Sequence, residues 1–153
     1  MEQTRIKLEE NEMWVRENLL KLPETPDESP RLIAGKCESC GDVSFPQKER
    51  CGVCSCKNIN QIYLSRTAKI YSYTIVHRSV PGYQLPNIVA MLKFKEDDSL
   101  LVISQIKNIA PEDVKSGMEV ELIIDKLSDN FMTGKKVIGY AFQPTIGDII
   151  RER

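Results

Sequence analysis

Four of the five cysteines fall in two pairs, Cys37-x2-Cys40 and Cys51-x2-Cys54, separated by ten residues. A Cys-x2-Cys knuckle turns the chain so that two thiolates converge on one ion, and two knuckles complete a tetrahedral four-sulfur shell suited to Zn²⁺. Gly41 and Gly52 are placed to relieve the tight turns, and the gap is long enough for a two-stranded ribbon. Four protein ligands leave no position for a water or a substrate, so the expected role of the ion is structural. A rubredoxin-like iron site is the chemical alternative, although nothing else in the sequence suggests electron transfer. Cys56 follows Cys54 too closely to chelate well with it. It reads as a bystander thiol, with alternative ligation or redox sensing as the other readings.

Outside the cysteines, chemistry-bearing residues gather in one stretch. His77 is the only histidine, at the end of the run Tyr71-Ser72-Tyr73-Thr74-Ile75-Val76-His77-Arg78. No Ser, Cys or carboxylate can be set beside it from sequence, so a strand-end polar residue is the expectation and a general base the alternative. Arg78 and Tyr83 flank the start of a loop, where they can meet a phosphate and stack on an adenine, or simply be solvated. Tyr63, Tyr71 and Tyr73 can stack on bases from a barrel face; for Tyr71 and Tyr73, half-buried core positions are the favoured reading.

The elements that must carry these residues are mostly strands. Runs rich in β-branched and aromatic residues cover 68–80, 87–95, 100–109, 118–126 and 136–142. Pro81 to Pro86 reads as a loop and Glu96-Asp97-Asp98-Ser99 as a tight turn, while Pro111-Glu112-Asp113 opens a short helical connection reset by Gly117. Three strands, a helical connection and two strands is the pattern of a Greek-key barrel of OB type. Thr4 to Leu22 contain neither Gly nor Pro and set Ile6, Met13, Trp14 and Leu20 roughly along one stripe. The expectation there is an amphipathic helix, docked on its own barrel or on a partner, followed by a proline-rich linker from Pro23 to Pro30. The chain thus divides into 1–30 (helix and linker), 31–64 (zinc ribbon), 65–145 (OB-fold domain) and 146–153 (tail), a mainly β fold with a five-stranded OB-fold barrel.

Charge narrows the function classes. The 153 residues carry 21 basic and 22 acidic side chains, and residues 31–110 have a basic surplus while both ends are acidic. Such a middle can attract a phosphorylated small molecule but lacks the clustered stripe of a nucleic-acid-binding protein. With no apolar run of bilayer-spanning length, no signal-peptide pattern and unpaired cysteines, the expected place is the cytoplasm.

The order Cys-x2-Cys-Gly, Phe45-Pro46, Cys-x2-Cys, then Ala68 to Arg78, Pro81-Gly82-Tyr83, the strand from Pro86 to Met91, Pro111-Glu112-Asp113 and Gly117-Met118-x-Val120 resembles the acyl-CoA-associated OB-fold proteins with a rubredoxin-like zinc ribbon. The likeness covers roughly residues 31 to 144. A proline associated with the family after the third cysteine is Gly52 here. The resemblance implies a non-catalytic accessory subunit that works with a thiolase (acetyl-CoA acetyltransferase) and with hydroxymethylglutaryl-CoA synthase, binding CoA thioesters. It assigns the metal to Cys37, Cys40, Cys51 and Cys54, and by motif position it assigns CoA contacts to His77, Arg78 and Tyr83. Two other classes compete: a single-stranded nucleic-acid-binding module, which the charge count opposes, and a free-standing hydrolase or transferase using His77 or Cys56.

Overall fold

The computed structural model describes residues 8–16, 19–23, 25, 28–79 and 81–145. Ten strands make two sheets: β1 Glu12–Trp14, β2 Leu20–Lys21, β3 Arg31–Cys37, β4 Val43–Ser44, β5 Ile59–Tyr63, β6 Thr67–Val76, β7 Asn87–Phe94, β8 Asp97–Ile106, β9 Glu119–Asp129 and β10 Lys136–Pro144. The last five form the barrel. Strands β6, β7 and β8 are an antiparallel meander, β9 pairs antiparallel with both β6 and β10, and β10 meets β8 in parallel at Phe142↔Ile106. This is the expected OB-type order of five strands, closed on itself.

Strand alternation decides what lies inside. Along β8, Leu100, Val102, Ser104 and Ile106 are buried while Leu101 and Ile103 are exposed. Ile70, Leu92, Val102, Val120, Leu122 and Phe142 are almost wholly buried, and Phe94 meets Phe142 edge to face at 5.9 Å. The tight turn falls at Lys95-Glu96, slightly earlier than expected, because Phe94 pairs directly with Asp97. A single 3₁₀ turn, Pro111–Asp113, is the helical part of the β8–β9 connection.

In the second sheet, β3 is central, with β2 and β4 along one edge and β5 along the other. Its apolar residues Leu32, Ala34 and Val43 join Leu64 and the barrel residues in one continuous core. Phe45 reaches the barrel as well, packing edge to face on Tyr140 at 5.5 Å.

The N-terminal helix is not present. Its described residues are extended: β1 lies parallel to β10 in the register Glu12↔Lys136, Met13↔Val137 and Trp14↔Ile138, and β2 pairs with β3. The start of the expected helix and the residues between β1 and β2, at 1–7 and 17–18, fall outside the described residues, as do parts of the linker, Val80 and the tail 146–153. Helix propensity loses because an isolated helix gains little without a surface to pack on, whereas the strand edges of β10 and β3 offer unpaired backbone groups. The amide of Val15 donates to Ile138 O at 2.7 Å, that of Lys136 to Asn11 O at 2.8 Å, and that of Ile33 to Leu19 O at 2.8 Å. Gly139 makes the approach possible, since a Cβ there would stand 2.6 Å from Val15 Cγ1.

The β6–β7 loop is pinned at Gly82. Its φ of +109° is left-handed, its carbonyl accepts from the Asp129 amide at 2.8 Å, and an added Cβ would collide with the Asp129 carbonyl oxygen. Gly82→Ala is expected to cost about 1–3 kcal/mol, seen in a thermal melt as a fall of roughly 2–4 °C per kcal/mol. An unchanged melting curve would mean that the loop re-forms without the clamp.

Candidate metal centre and adjoining groove

The two knuckles are built alike. In the first, the Gly41 amide donates to Cys37 O at 2.9 Å, and in the second the Ser55 amide donates to Cys51 O at 3.1 Å. Each turn places its fifth residue in the left-handed region, Gly41 at φ +80° and Ser55 at φ +64°. The turn-relieving position of the second knuckle is therefore Ser55, and Gly52, expected to serve there, is not left-handed. The pairing of Cys37 with Ile59 at the end of the β3–β5 ladder brings the first knuckle beside the chain leaving the second.

The Sγ atoms of Cys37, Cys40, Cys51 and Cys54 all lie within 4.8 Å of one another. Cys37 meets Cys54 at 3.5 Å and Cys40 meets Cys51 at 3.5 Å. Tetrahedral sulfurs bound at about 2.3 Å stand roughly 3.8 Å apart, so the donor set fits one thiophilic ion with little movement. Cys56 is not in this group; its sulfur accepts from the Asn58 amide at 3.4 Å.

Without a metal, these thiols divide their protons unevenly. The Cys40 amide, hydrogen-bonded to Cys37, holds the Cys37 thiol down at about 6. At Cys40 the Asp42 amide also pulls downward, but the neighbouring sulfur of Cys51 and desolvation win and push the thiol up to about 12. Backbone amides of Cys54 and Val53 lower Cys51. Cys54 is raised: the Cys56 amide opposes the shift, and the Cys37 sulfur and desolvation drive it. Four clustered thiols cannot all ionise alone; a bound dication removes that conflict by expelling the remaining protons.

A groove of about 610 Å³ opens where ribbon and barrel meet, between Val15, Phe45, Ile103, Leu127 and Tyr140, with Tyr83 at its lip. Tyr83 also borders a second hollow of about 410 Å³ with Lys107 and Lys126. Burial, the largest influence on Lys107, lowers its pKa. Of the expected ligand-contacting residues, Tyr83 thus lies in a groove, whereas His77 and Arg78 are exposed just past the end of β6 and line neither hollow. Tyr71 and Tyr73 are not half-buried core, being 54% and 40% exposed: Tyr71 is the extra residue of the bulge between Ile70 and Ser72, and Tyr73, although paired with the buried Ala90, stays open to solvent. Lys93 Nζ sits 4.6 Å from the Tyr71 ring centre. No helix among the described residues is long and apolar enough to cross a membrane.

Comparison with known proteins adds a family context. Residues 61–125 match the model of the ChsH2 C-terminal OB-fold domain. The chain is 34% identical over 121 residues to a DUF35 domain-containing scaffold protein of Pyrococcus furiosus, covering 78% of this chain and 87% of that relative. It is 28% identical over 126 residues to the benzoylsuccinyl-CoA thiolase subunit BbsA of Thauera aromatica, covering 82% and 84%. Among solved structures, the Ltp2-ChsH2(DUF35) aldolase matches with a TM-score of 0.56 and 23% identity over 74% of this chain and 84% of that one, a likeness of fold.

Two outcomes are expected at the metal centre. Cobalt(II) added to metal-free protein should give the thiolate-to-metal absorption of a four-sulfur site, at one ion per chain, and Cys40→Ser should abolish it and lower the melting temperature. Uptake at neutral pH should release the protons held by Cys40 and Cys54, and affinity should fall as pH falls, because protons compete for every sulfur. Independently, Ser55→Gly should stabilise the protein by about 0.4–1 kcal/mol by removing left-handed strain from a residue with a side chain; a lower melting temperature would count against that geometry.

Proposed function

The chain belongs to the DUF35 family of OB-fold proteins linked to thiolases, and from that membership we propose that it is a non-catalytic scaffold subunit of a thiolase-type acyl-CoA enzyme. The carrying observation is the extended match to a DUF35 scaffold protein, supported by the match to a relative named as a thiolase subunit. In this reading a zinc ion held by Cys37, Cys40, Cys51 and Cys54 does structural work. It locks the two knuckles against β3, and its complete four-sulfur shell gives substrate no place to bind.

The loop after β6 faces the CoA thioester. Tyr83 presents an aromatic ring at the groove lip, and Arg78 supplies a cation for phosphate. His77 stands beside Arg78 as a further contact. The partner is a thiolase of acetyl-CoA acetyltransferase type, with a hydroxymethylglutaryl-CoA synthase as the second enzyme such a scaffold can bridge. A cytoplasmic setting suits this chemistry, since it keeps the metal-binding thiols reduced.

One observation favours a competing reading. The exposed Tyr71, with Lys93 over its ring, and the exposed Tyr73 are the kind of aromatic groups on which single-stranded bases stack. Fluorescence anisotropy with a labelled oligonucleotide over a salt series separates the two: the scaffold reading expects no binding that falls steeply with salt.

The main test is co-purification from the native cells after nuclease treatment and a high-salt wash. A stoichiometric thiolase or another acyl-CoA enzyme is expected, and its absence together with protected nucleic acid would overturn the proposal. In the recovered complex, Arg78→Ala and Tyr83→Ala should each weaken CoA-thioester binding by about 1–2 kcal/mol, roughly fivefold to thirtyfold, as measured by calorimetry.

A further inference from the structure

The β6–β7 loop lies against the end of β9, and the hollow of about 410 Å³ between them has Tyr83 and Gln84 on one side, Lys126 and Ser128 on the other, and Lys107 in its wall. Two backbone features hold its shape. The Gly82 carbonyl accepts from the Asp129 amide at 2.8 Å, which ties the loop to the strand. Lys126 pairs with Ile138 and Ser128 with Val137, so Leu127 is an extra residue between them, a bulge of the kind that re-aims side chains beside functional sites. Every residue of the lining is described, as is the whole stretch from 81 to 145.

The polar groups around the hollow are unequally used. Acceptors on the β9 side are taken: Leu127 O by Gln105 Nε2 at 3.2 Å, and the Asp129 carboxylate by Lys126 Nζ at 2.9 and 3.0 Å. That ion pair is neutral, so the free charge of the hollow is that of Lys107. The Lys107 ammonium makes no ion pair or hydrogen bond among the described residues. Burial is the largest influence on it, and the two charges that act on it, Asp125 and Lys126, oppose each other.

The other donors are open too. Ser128 is 9% exposed, and its hydroxyl is unbonded among the described residues. The partnerless side-chain atoms sealed off from solvent there are Arg66 Nε and Gln105 Oε1, so the Ser128 oxygen keeps accessible surface. The Tyr83 and Gln84 amides donate to no backbone acceptor among the described residues. A half-buried ammonium without an acceptor costs the free protein stability, and a hollow that offers donors calls for a ligand rich in acceptors.

We propose that this hollow is a phosphate-binding site, in which Lys107 Nζ, the Ser128 hydroxyl and the amides of Tyr83 and Gln84 hold the oxygens of a phosphate ester. A phosphate monoester presents three strong acceptor oxygens, which suits this donor set better than a carboxylate. Tyr83, 39% exposed at the edge of the hollow, offers its ring to the organic part of the ester. Only the identity of the ester rests on the acyl-CoA reading. Coenzyme A carries a diphosphate and a separate 3′-phosphate, so Lys107 and Arg78, which lies outside the hollow, can serve one each.

The test uses the full-length, metal-loaded protein, ¹⁵N-labelled, with pyrophosphate and adenosine 3′,5′-bisphosphate as probes at constant ionic strength. Titration of each to about 10 mM should shift the amide signals of Tyr83, Gln84 and Ser128 and raise the melting temperature. Lys107→Gln should weaken binding at least about tenfold, and Lys107→Arg should keep it within about threefold. Lys115→Gln, which removes an exposed charge elsewhere, should change it less than about twofold. Without ligand, Lys107→Met should melt at or above the wild-type temperature, because it removes a half-buried charge that the free protein leaves unpaired. A clear fall would mark Lys107 as structural and overturn the proposal, as would the absence of shifts at Tyr83, Gln84 and Ser128, or shifts that survive Lys107→Gln. If the probes bind in this way but CoA thioesters do not, the site stands and the acyl-CoA reading falls. Thioester binding indifferent to Lys107→Gln would keep that reading and overturn this site.

Discussion

Unpaired strand edges govern this molecule. A five-stranded barrel loses its edges only where its first and last neighbours meet, and here that closure comes down to the contact of Ile106 with Phe142 and the amide bond beside it. Everything on the far side of that contact needs some other cover. The segment around Trp14 covers β10, the segment around Leu20 covers one edge of β3, and β5 covers the other. The stretch of β8 from Leu101 to Gln105 has no strand paired on its outer side among the described residues, and that is where the groove lies. Edges of this kind are either shielded or used.

The cysteine cluster solves a related problem by other means. The ribbon has few apolar residues to bury, and those it has, such as Leu32, Ala34 and Val43, are drawn into the barrel's core rather than forming one of their own. The outer half of the ribbon is therefore organised by turns and sulfur. Amide-stabilised Cys37 and Cys51 alternate with Cys40 and Cys54, whose ionisation their neighbours oppose. A cation at the centre supplies the cohesion that a hydrophobic layer gives larger domains.

The barrel was legible in the sequence because its strands are long, β-branched and separated by Pro, Gly and acidic turns. The cysteine spacing likewise carried enough local geometry to bring four sulfurs together. What local patterning could not convey was competition. Thr4 to Leu22 have the composition of a helix, yet the open edges of β10 and β3 decide the conformation of Glu12–Trp14 and Leu20–Lys21, and the small residue that lets Val15 approach, Gly139, lies on the last strand. Ser55 is the converse case: Gly52 is by type the natural turn residue, while the repeated five-residue turn sets the left-handed position one place beyond Cys54. The groove was illegible altogether, being assembled from Val15, Phe45, Tyr83, Ile103 and Tyr140, which share no sequence neighbourhood.

The pairing of β1 with β10 also has a bearing on the chain's synthesis. Glu12 and Lys136 stand near opposite ends of the described chain, so an emerging polypeptide exposes the first partner long before the second exists. Contacts of such wide separation form late and slow folding. The ribbon, whose knuckles lie close together, can take its metal while the barrel is still incomplete. The segment around Trp14 must wait, its backbone open to other strands, until β10 arrives to end the exposure.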